Sequence, residues 1–251
     1  LPPGLTVSVV LMSFDRPDQV RQIVKHFLEE EAFHSYVREI LIWDAKGGEN
    51  RFGDLEREST SREDLPRVTL VRIHPDPGLH GRFAAALLAR EPLVLIQDDD
   101  LIVGPRALRE LVYRHSLEPH LLHGMHPRVP NKRIPYLKAE YRGLQVGPII
   151  LTKVLLARRE HFASFWQYEP FLAPIAKQAR PPWNGEDILF SLSVCRRNGG
   201  QLNRAYPQLL KDVTELPSKF AVSRGWKKHL NFRKEFTKCA FRVLGLDPPE
   251  W

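Results

Sequence analysis

Four short aliphatic runs, VSVVLMSF (7–14), EILIW (39–43), VTLVRI (68–73) and PLVLIQ (92–97), constrain the fold more tightly than any other feature of the chain. Their length and β-branched content read as buried strands. Between the first two, Pro17 to Glu31 carries Val20, Ile23, Val24, Phe27 and Leu28 at helical spacing, and Gly81 to Ala89 reads as a short helix before the fourth run. Strands alternating with helices imply an α/β fold with a mostly parallel sheet covered on both faces. At 251 residues and 43% hydrophobic, the chain is expected to form one compact unit, residues 1–251.

Elsewhere the pattern is looser. KGGENRFGDLERESTSRED (46–64) reads as a long, mobile connection. Pro105 to His115 reads as a helix, Pro127 to Pro135 as a proline-rich basic loop, VGPIILTKVLL (146–156) as an apolar stretch, and Glu186 to Arg197 as an amphipathic helix. The tail from Arg224 to Arg242 gathers seven basic residues against the single acid Glu235, interleaved with Trp226, Leu230, Phe232, Phe236 and Phe241. It is either a solvated basic helix or one packed in part onto the body.

The fourth run ends in Asp98, Asp99 and Asp100. In an open α/β sheet, ligands sit outside the carboxyl ends of the parallel strands, where this triad falls. Three adjacent carboxylates repel, and a divalent cation is the simplest neutraliser. Oxygen-only ligands suit Mg²⁺ or Mn²⁺, which completes its shell with water and the oxygens of a bound diphosphate. If the extended conformation persists, Asp98 and Asp100 face one side and Asp99 the other. The alternative is an exposed acidic turn that also caps the helix beginning near Pro105. A second acidic pair, Glu186 and Asp187, opens a helix after Asn184, where acids also complement the helix dipole.

Composition excludes some classes and leaves others open. The net charge of +7 and pI near 9.5 favour anionic partners: nucleic acids, phosphorylated donors, acidic polysaccharides or membrane surfaces. No run of about 18 apolar residues occurs, and the opening LPPGLTVSVV lacks a signal-peptide pattern, so any membrane anchor is expected outside this sequence. Cys195 and Cys239 are too few for a disulfide scaffold and lack metal-ligand spacing, leaving one bridge between them open. Gly48 to Gly53 is followed by Asp54 and Leu55 and is therefore no P-loop; G-x-G-x-x-G, H-E-x-x-H and G-x-S-x-G do not occur.

Taken in order, SVVLMSFDRP, ILIWDAKG, HGRF, LIQDDD, LTKVLLARREHF, NGEDILFSLSV and HLNFRKEF resemble the motifs of the exostosin and exostosin-like α-N-acetylhexosaminyltransferases, from residue 7 to about residue 245. That resemblance implies a GT-A fold, with a Rossmann-like nucleotide-binding half over about 1–101 and a smaller acceptor-side half over about 102–251. It implies a retaining, Mn²⁺- or Mg²⁺-dependent transfer of a sugar from a UDP-sugar, UDP-N-acetylglucosamine or UDP-N-acetylgalactosamine, to a glycan or glycolipid acceptor.

Carried over by position, Arg16 and Arg82 would contact the uridine diphosphate part of the donor, Asp44 the base or ribose, Asp98 and Asp99 the ribose and donor sugar, and Asp100 the metal. Asp187 would lie beside the anomeric carbon or acceptor, and Arg233, with His229 one turn before it, at the leaving diphosphate. An arginine suits that place because its planar fork engages two oxygens.

Three departures stand out. Asp44 replaces an asparagine. Lys153 replaces a small glycine beside the sugar pocket, where a long charged side chain either fills the pocket or pairs with an acid. Gly185 replaces a disulfide cysteine, for which Cys195 and Cys239 are a possible substitute pair. The family also implies a membrane-anchored domain in the Golgi or ER lumen and no nucleic-acid partner.

Two rivals follow from the residues. One is an inverting transferase with Asp187 as general base. The other is a catalytically silent module that binds an acidic glycan or nucleic acid through Arg224 to Arg242. For the transferase, that tail and a loop containing Arg128, Lys132 and Arg133 are compatible with an acidic glycan acceptor.

Overall fold

The structure is a computed structural model, and it describes residues 4–46, 51–72, 77–130, 145–179, 184–217 and 226–248. The four aliphatic runs form β1 (Val7–Ser13), β2 (Val37–Asp44), β3 (Arg67–Val71) and β4 (Leu93–Gln97), all parallel and ordered β3-β2-β1-β4. The sheet continues with β10 (Val154–Arg158), antiparallel to β4, then β6 (His123–Gly124), β11 (Asn203–Ala205) and β8 (Val146–Gly147), giving eight strands. Two small ribbons flank it: β5 (Leu101–Val103) with β12 (Val213–Glu215), and β7 (Pro127–Arg128) with β9 (Ile149–Ile150).

The period-two alternation of the strands divides the interior into two cores. Val7, Val9 and Leu11 of β1 and Leu93 and Leu95 of β4 face one side, where α1 (Pro17–Glu29), α2 (Gly53–Thr60) and α4 (Pro105–Leu117) cover them. Val10, Val94 and Ile96 face the other, beneath α3 (Gly81–Leu88), α5 (Phe162–Ala176), α6 (Glu186–Arg197) and α7 (Trp226–Leu244). On that side Phe83, Phe162, Phe165 and Phe190 pack with ring centroids 4.7 to 5.8 Å apart, Phe162 stacked on Phe190 and the other pairs tilted. Among the described residues no helix is long and apolar enough to cross a membrane.

Several expectations change here. The polar connection 46–64 contains α2, because Phe52 and Leu55 are fully buried and Arg21 forks onto Asp54 at 2.9 and 2.6 Å. Residues 47–50 of that connection lie outside the described residues. The apolar stretch 146–156 breaks into β8, β9 and the start of β10 rather than one element. The helix α5 escaped the sequence reading because Pro170 and Pro174 lie inside it. Arg128 is buried, with its guanidinium donating to the Pro127 carbonyl at 2.8 Å, so it does not belong to a solvent-facing basic loop; Lys132 and Arg133 lie outside the described residues.

Helix α7 resolves the two readings of the tail for the part described: Arg233, Phe236, Ala240, Phe241 and Leu244 are buried, whereas Lys228, Lys238 and Arg242 are exposed. Arg224 lies outside the described residues. Both cysteines are free. The Cys195 thiol instead donates to the Pro148 carbonyl at 3.5 Å and accepts from the Asn203 side chain, and burial pushes its pKa up to about 12.

Candidate functional site

From β1 the chain moves outward through β2 to β3, then α3 carries it back to place β4 on the other flank of β1. The strand order reverses between β1 and β4, the switch point where an open α/β sheet has its ligand crevice, outside the carboxyl ends of the strands. The acid triad follows β4, and Arg16 follows β1 across the crevice.

The extended conformation stops at Gln97, so the predicted alternation of the triad does not hold. Arg16 Nη1 donates to Asp99 Oδ1 at 2.6 Å and to Asp100 Oδ2 at 3.1 Å, which puts Asp99 and Asp100 on one guanidinium. Asp98 turns the other way, and its Oδ1 accepts from Arg82 Nη1 at 3.0 Å. The same nitrogen meets Thr152 Oγ1 at 2.9 Å, while the Asp98 N–H donates to the Lys153 carbonyl at 2.9 Å. Burial, reinforced by Asp98 and Asp100 and opposed by Arg16, pushes the Asp99 carboxyl up to about 6.

The first turn of α3 aims Arg82. A Cβ at Gly81 would fall 2.5 Å from the indole of Trp43, so only glycine lets this turn press against β2. Arg82 is itself buried. Burial works against its charge, but Asp98 and then Glu186 and Asp187 hold its pKa above the ordinary arginine value. Arg82 is therefore the electrostatic link between the triad and the start of α6.

At that start Gly185 takes φ +156°, and a Cβ there would sit 2.8 Å from the Phe236 ring. The missing side chain lets α7 close onto α6, with Arg233 one turn before Phe236 on the same face. Arg233 Nη2 meets both Asp187 oxygens at 2.6 Å, and Nη1 meets Asn184 Oδ1 at 3.0 Å. Asn184 in turn contacts His229 Nδ1 at 2.7 Å. Burial, then the neighbouring Arg233 charge, lowers the His229 pKa. Glu186 is buried beside them; Gly185 N–H donates to its Oε2 at 3.1 Å, and burial together with Asp187 raises its pKa.

Asp44 ends β2 opposite Ser13 and is buried against Arg51, which also donates to the Phe14 carbonyl at 3.3 Å. Asp44 Oδ2 has no hydrogen-bond partner. This acid thus shares the sheet edge with the triad but is served by a different arginine.

Among the described residues, no three His, Cys, Asp or Glu side chains converge as a ready-made metal cage. A hard divalent ion that draws its shell mainly from diphosphate and water needs only one or two carboxylates. Asp100 Oδ1 fits that requirement, being buried without a hydrogen-bond partner.

No protein-family model matches the chain, and no curated protein matches it in sequence. Among solved structures, it is similar to the crystal structure of GalNAc-T7 with UDP, GalNAc and Mn²⁺, at a TM-score of 0.59 and 14% identity. The fold is that of a GT-A glycosyltransferase. The match covers 82% of this chain and 43% of that one, so the chain spans less than half of its neighbour's length.

Within this GT-A fold, Arg16, Arg82 and the triad lie together at the carboxyl end of the sheet, Asp44 ends β2 on the same edge, and Asp187, Arg233 and His229 meet at the α6–α7 contact, which Arg82 links electrostatically to the triad. Thr152, Asn184 and Arg51 are not singled out by the sequence, and Glu186 enters only as the partner of Asp187 in the second acidic pair. Thr152 and Asn184 are buried hydrogen-bonding residues that orient Arg82 and Arg233. Their signal was adjacency: each lies within a quoted motif, LTKVLLARREHF or NGEDILFSLSV.

Proposed function

We propose that this chain is a metal-dependent glycosyltransferase that moves a sugar from a UDP-sugar to a glycan or glycolipid acceptor with retention of configuration. The observation that carries this reading is the Asp98–Asp100 triad at the sheet's switch point, ringed by arginines, with one buried Asp100 oxygen left without a partner. The GT-A neighbour, solved with UDP, GalNAc and Mn²⁺, supports it. The exostosin-like motifs support retention, N-acetylhexosamine as the reference sugar, residues 1–251 as a single transferase unit, and a Golgi or ER lumenal location.

In this reading Asp100 holds Mn²⁺ or Mg²⁺, and Arg16 and Arg82 exchange their aspartates for diphosphate oxygens. When bound, the ion neutralises charge on the departing diphosphate. Asp98 and Asp99 orient ribose and sugar hydroxyls, and Asp44 accepts from the nucleoside. Asp187 faces the reacting sugar, while Arg233, joined to His229 through Asn184, keeps positive charge on the leaving-group side. The two contacts of Asp187 with Arg233 favour retention over the inverting alternative, because both carboxylate oxygens are already engaged by one guanidinium and neither is left free to take an acceptor proton.

Calorimetric titration of UDP with and without Mn²⁺ tests the reading. Wild type is expected to bind UDP only with the ion, Asp100→Asn to lose about tenfold or more of that affinity, and Asp187→Asn to keep it while losing turnover. Metal-indifferent UDP binding, together with steeply salt-dependent binding of heparin or RNA, would replace it with the silent-module reading.

A further inference from the structure

The described arginines that line the crevice and the α6–α7 contact are each held by one of the chain's own carboxylates: Arg16 by Asp99 and Asp100, Arg51 by Asp44, Arg82 by Asp98 and Arg233 by Asp187. Lys153 is different. Its carbonyl accepts the Asp98 N–H at 2.9 Å, and the side chain before it, Thr152, holds Arg82. The lysine is therefore bonded through its backbone to the first acid of the triad. Its side chain is half-buried, and among the described residues its ammonium makes no ion pair and no hydrogen bond. The three aspartates at the end of β4 are each oriented toward an arginine instead.

A compact, strongly hydrated ammonium gains most from an anion that reaches it as a point charge, and little from a neutral amide. The diphosphate of a UDP-sugar already has Arg16, Arg82 and the ion held by Asp100 to meet it. The remaining part of the donor is the sugar, and the anionic group that oxidation of a hexose installs is a carboxylate. We propose that Lys153 reads a carboxylate on the donor sugar, so that the preferred donor is a UDP-hexuronic acid, with or without an N-acetyl group. This inference rests on the glycosyltransferase reading above and names the class of sugar that the same site takes.

Matched donors isolate the carboxylate: UDP-glucose against UDP-glucuronic acid, and UDP-N-acetylglucosamine against UDP-N-acetylglucosaminuronic acid, each titrated in Mn²⁺ beside UDP alone. Wild type is expected to bind the acid member of each pair about tenfold or more tightly, Lys153→Met to bring the ratio to about one, and Lys153→Arg to keep the preference. A ratio near one in wild type overturns the inference, as does an unchanged ratio in Lys153→Met. Loss of affinity for UDP itself in Lys153→Met, equal to the loss for the acids, makes Lys153 a diphosphate ligand and also overturns it. Wild type that binds no UDP in Mn²⁺ overturns the glycosyltransferase reading itself, a result distinct from UDP binding without a carboxylate preference.

Discussion

The two acid–arginine clusters of this molecule use the same chemistry and differ in their access to water. At the triad, the side chains of Asp99, Asp100 and Asp98 keep 19, 26 and 27% of their surface exposed. At the α6–α7 contact, Arg233 and Asp187 keep 6% each, and one guanidinium nitrogen meets both carboxylate oxygens. A pair that water can reach is worth about 0–1 kcal/mol and exchanges partners at little cost. Breaking a buried pair by removing one member costs about 3–5 kcal/mol, because a bare charge is left behind. The Arg16 contacts of the triad are thus built to change partners when a ligand arrives, whereas the clamp is a fixed wall that sets where α7 lies against α6; Arg82, 8% exposed, stands between the two cases.

The clamp gives the largest expected effect. Asp187→Ala strands the Arg233 guanidinium in the interior and is expected to cost about 3–5 kcal/mol in urea unfolding. The double variant Asp187→Ala/Arg233→Met, which removes both charges, is expected to recover most of that loss. If Asp187→Ala costs no more than a surface substitution, the clamp is as exchangeable as the triad and the contrast fails.

Glu186 sharpens the same contrast through pH. Burial and the adjacent Asp187 raise its pKa, so the folded protein keeps this proton where the unfolded chain has released it. Its contribution therefore favours folding at low pH and is lost as pH rises through the folded value. His115, His123 and His161, which burial lowers to about 3, 4 and 4, act with the opposite slope below the ordinary histidine range, since the unfolded chain takes up their protons first. Subtracting the Glu186→Gln stability curve from wild type cancels the histidines. The difference is expected to fall by about 1–3 kcal/mol from mildly acidic to mildly alkaline pH. A flat difference would mean that Glu186 is ionised and solvated, with no buried wall beside Asp187.

Much of this arrangement was legible in the chain because periodicity reports burial. The strands β1 to β4 were readable because both faces are covered, which gives continuous aliphatic runs; α6 is a helix as expected but not an amphipathic one, since every residue from Glu186 to Cys195 is buried between the sheet and its neighbouring helices. The presence of α2 was hidden because only Phe52 and Leu55 anchor a polar segment, and α5 because two prolines interrupt a helix held by aromatic packing. For the site, residue types located the triad, Arg16 and Arg82. Which carboxylate each arginine would meet was not legible, because pairing across 83 residues from Arg16 to Asp99, or 46 from Asp187 to Arg233, depends on how helices close. The reasons for Gly81 and Gly185 were likewise visible only in three dimensions, where Trp43 and Phe236 occupy the space a side chain would need.

The smallest expected effect is the most discriminating. Asp100→Asn removes a partner from Arg16 but leaves Asp99 at 2.6 Å to hold the guanidinium, and it relieves repulsion within the triad. These contributions oppose one another across partly hydrated groups, so the net change in stability without ligand is expected to stay within about 1 kcal/mol. Raising salt from about 0.1 M to 1 M shortens the screening length from about 10 Å to 3 Å, and whatever difference remains between the variant and wild type should shrink further. The cost of Asp187→Ala should respond far less to salt, because a buried pair is screened much less than an exposed one. A salt-insensitive loss at Asp100 as large as that at Asp187 would mean that the triad is scaffold rather than a place where partners change.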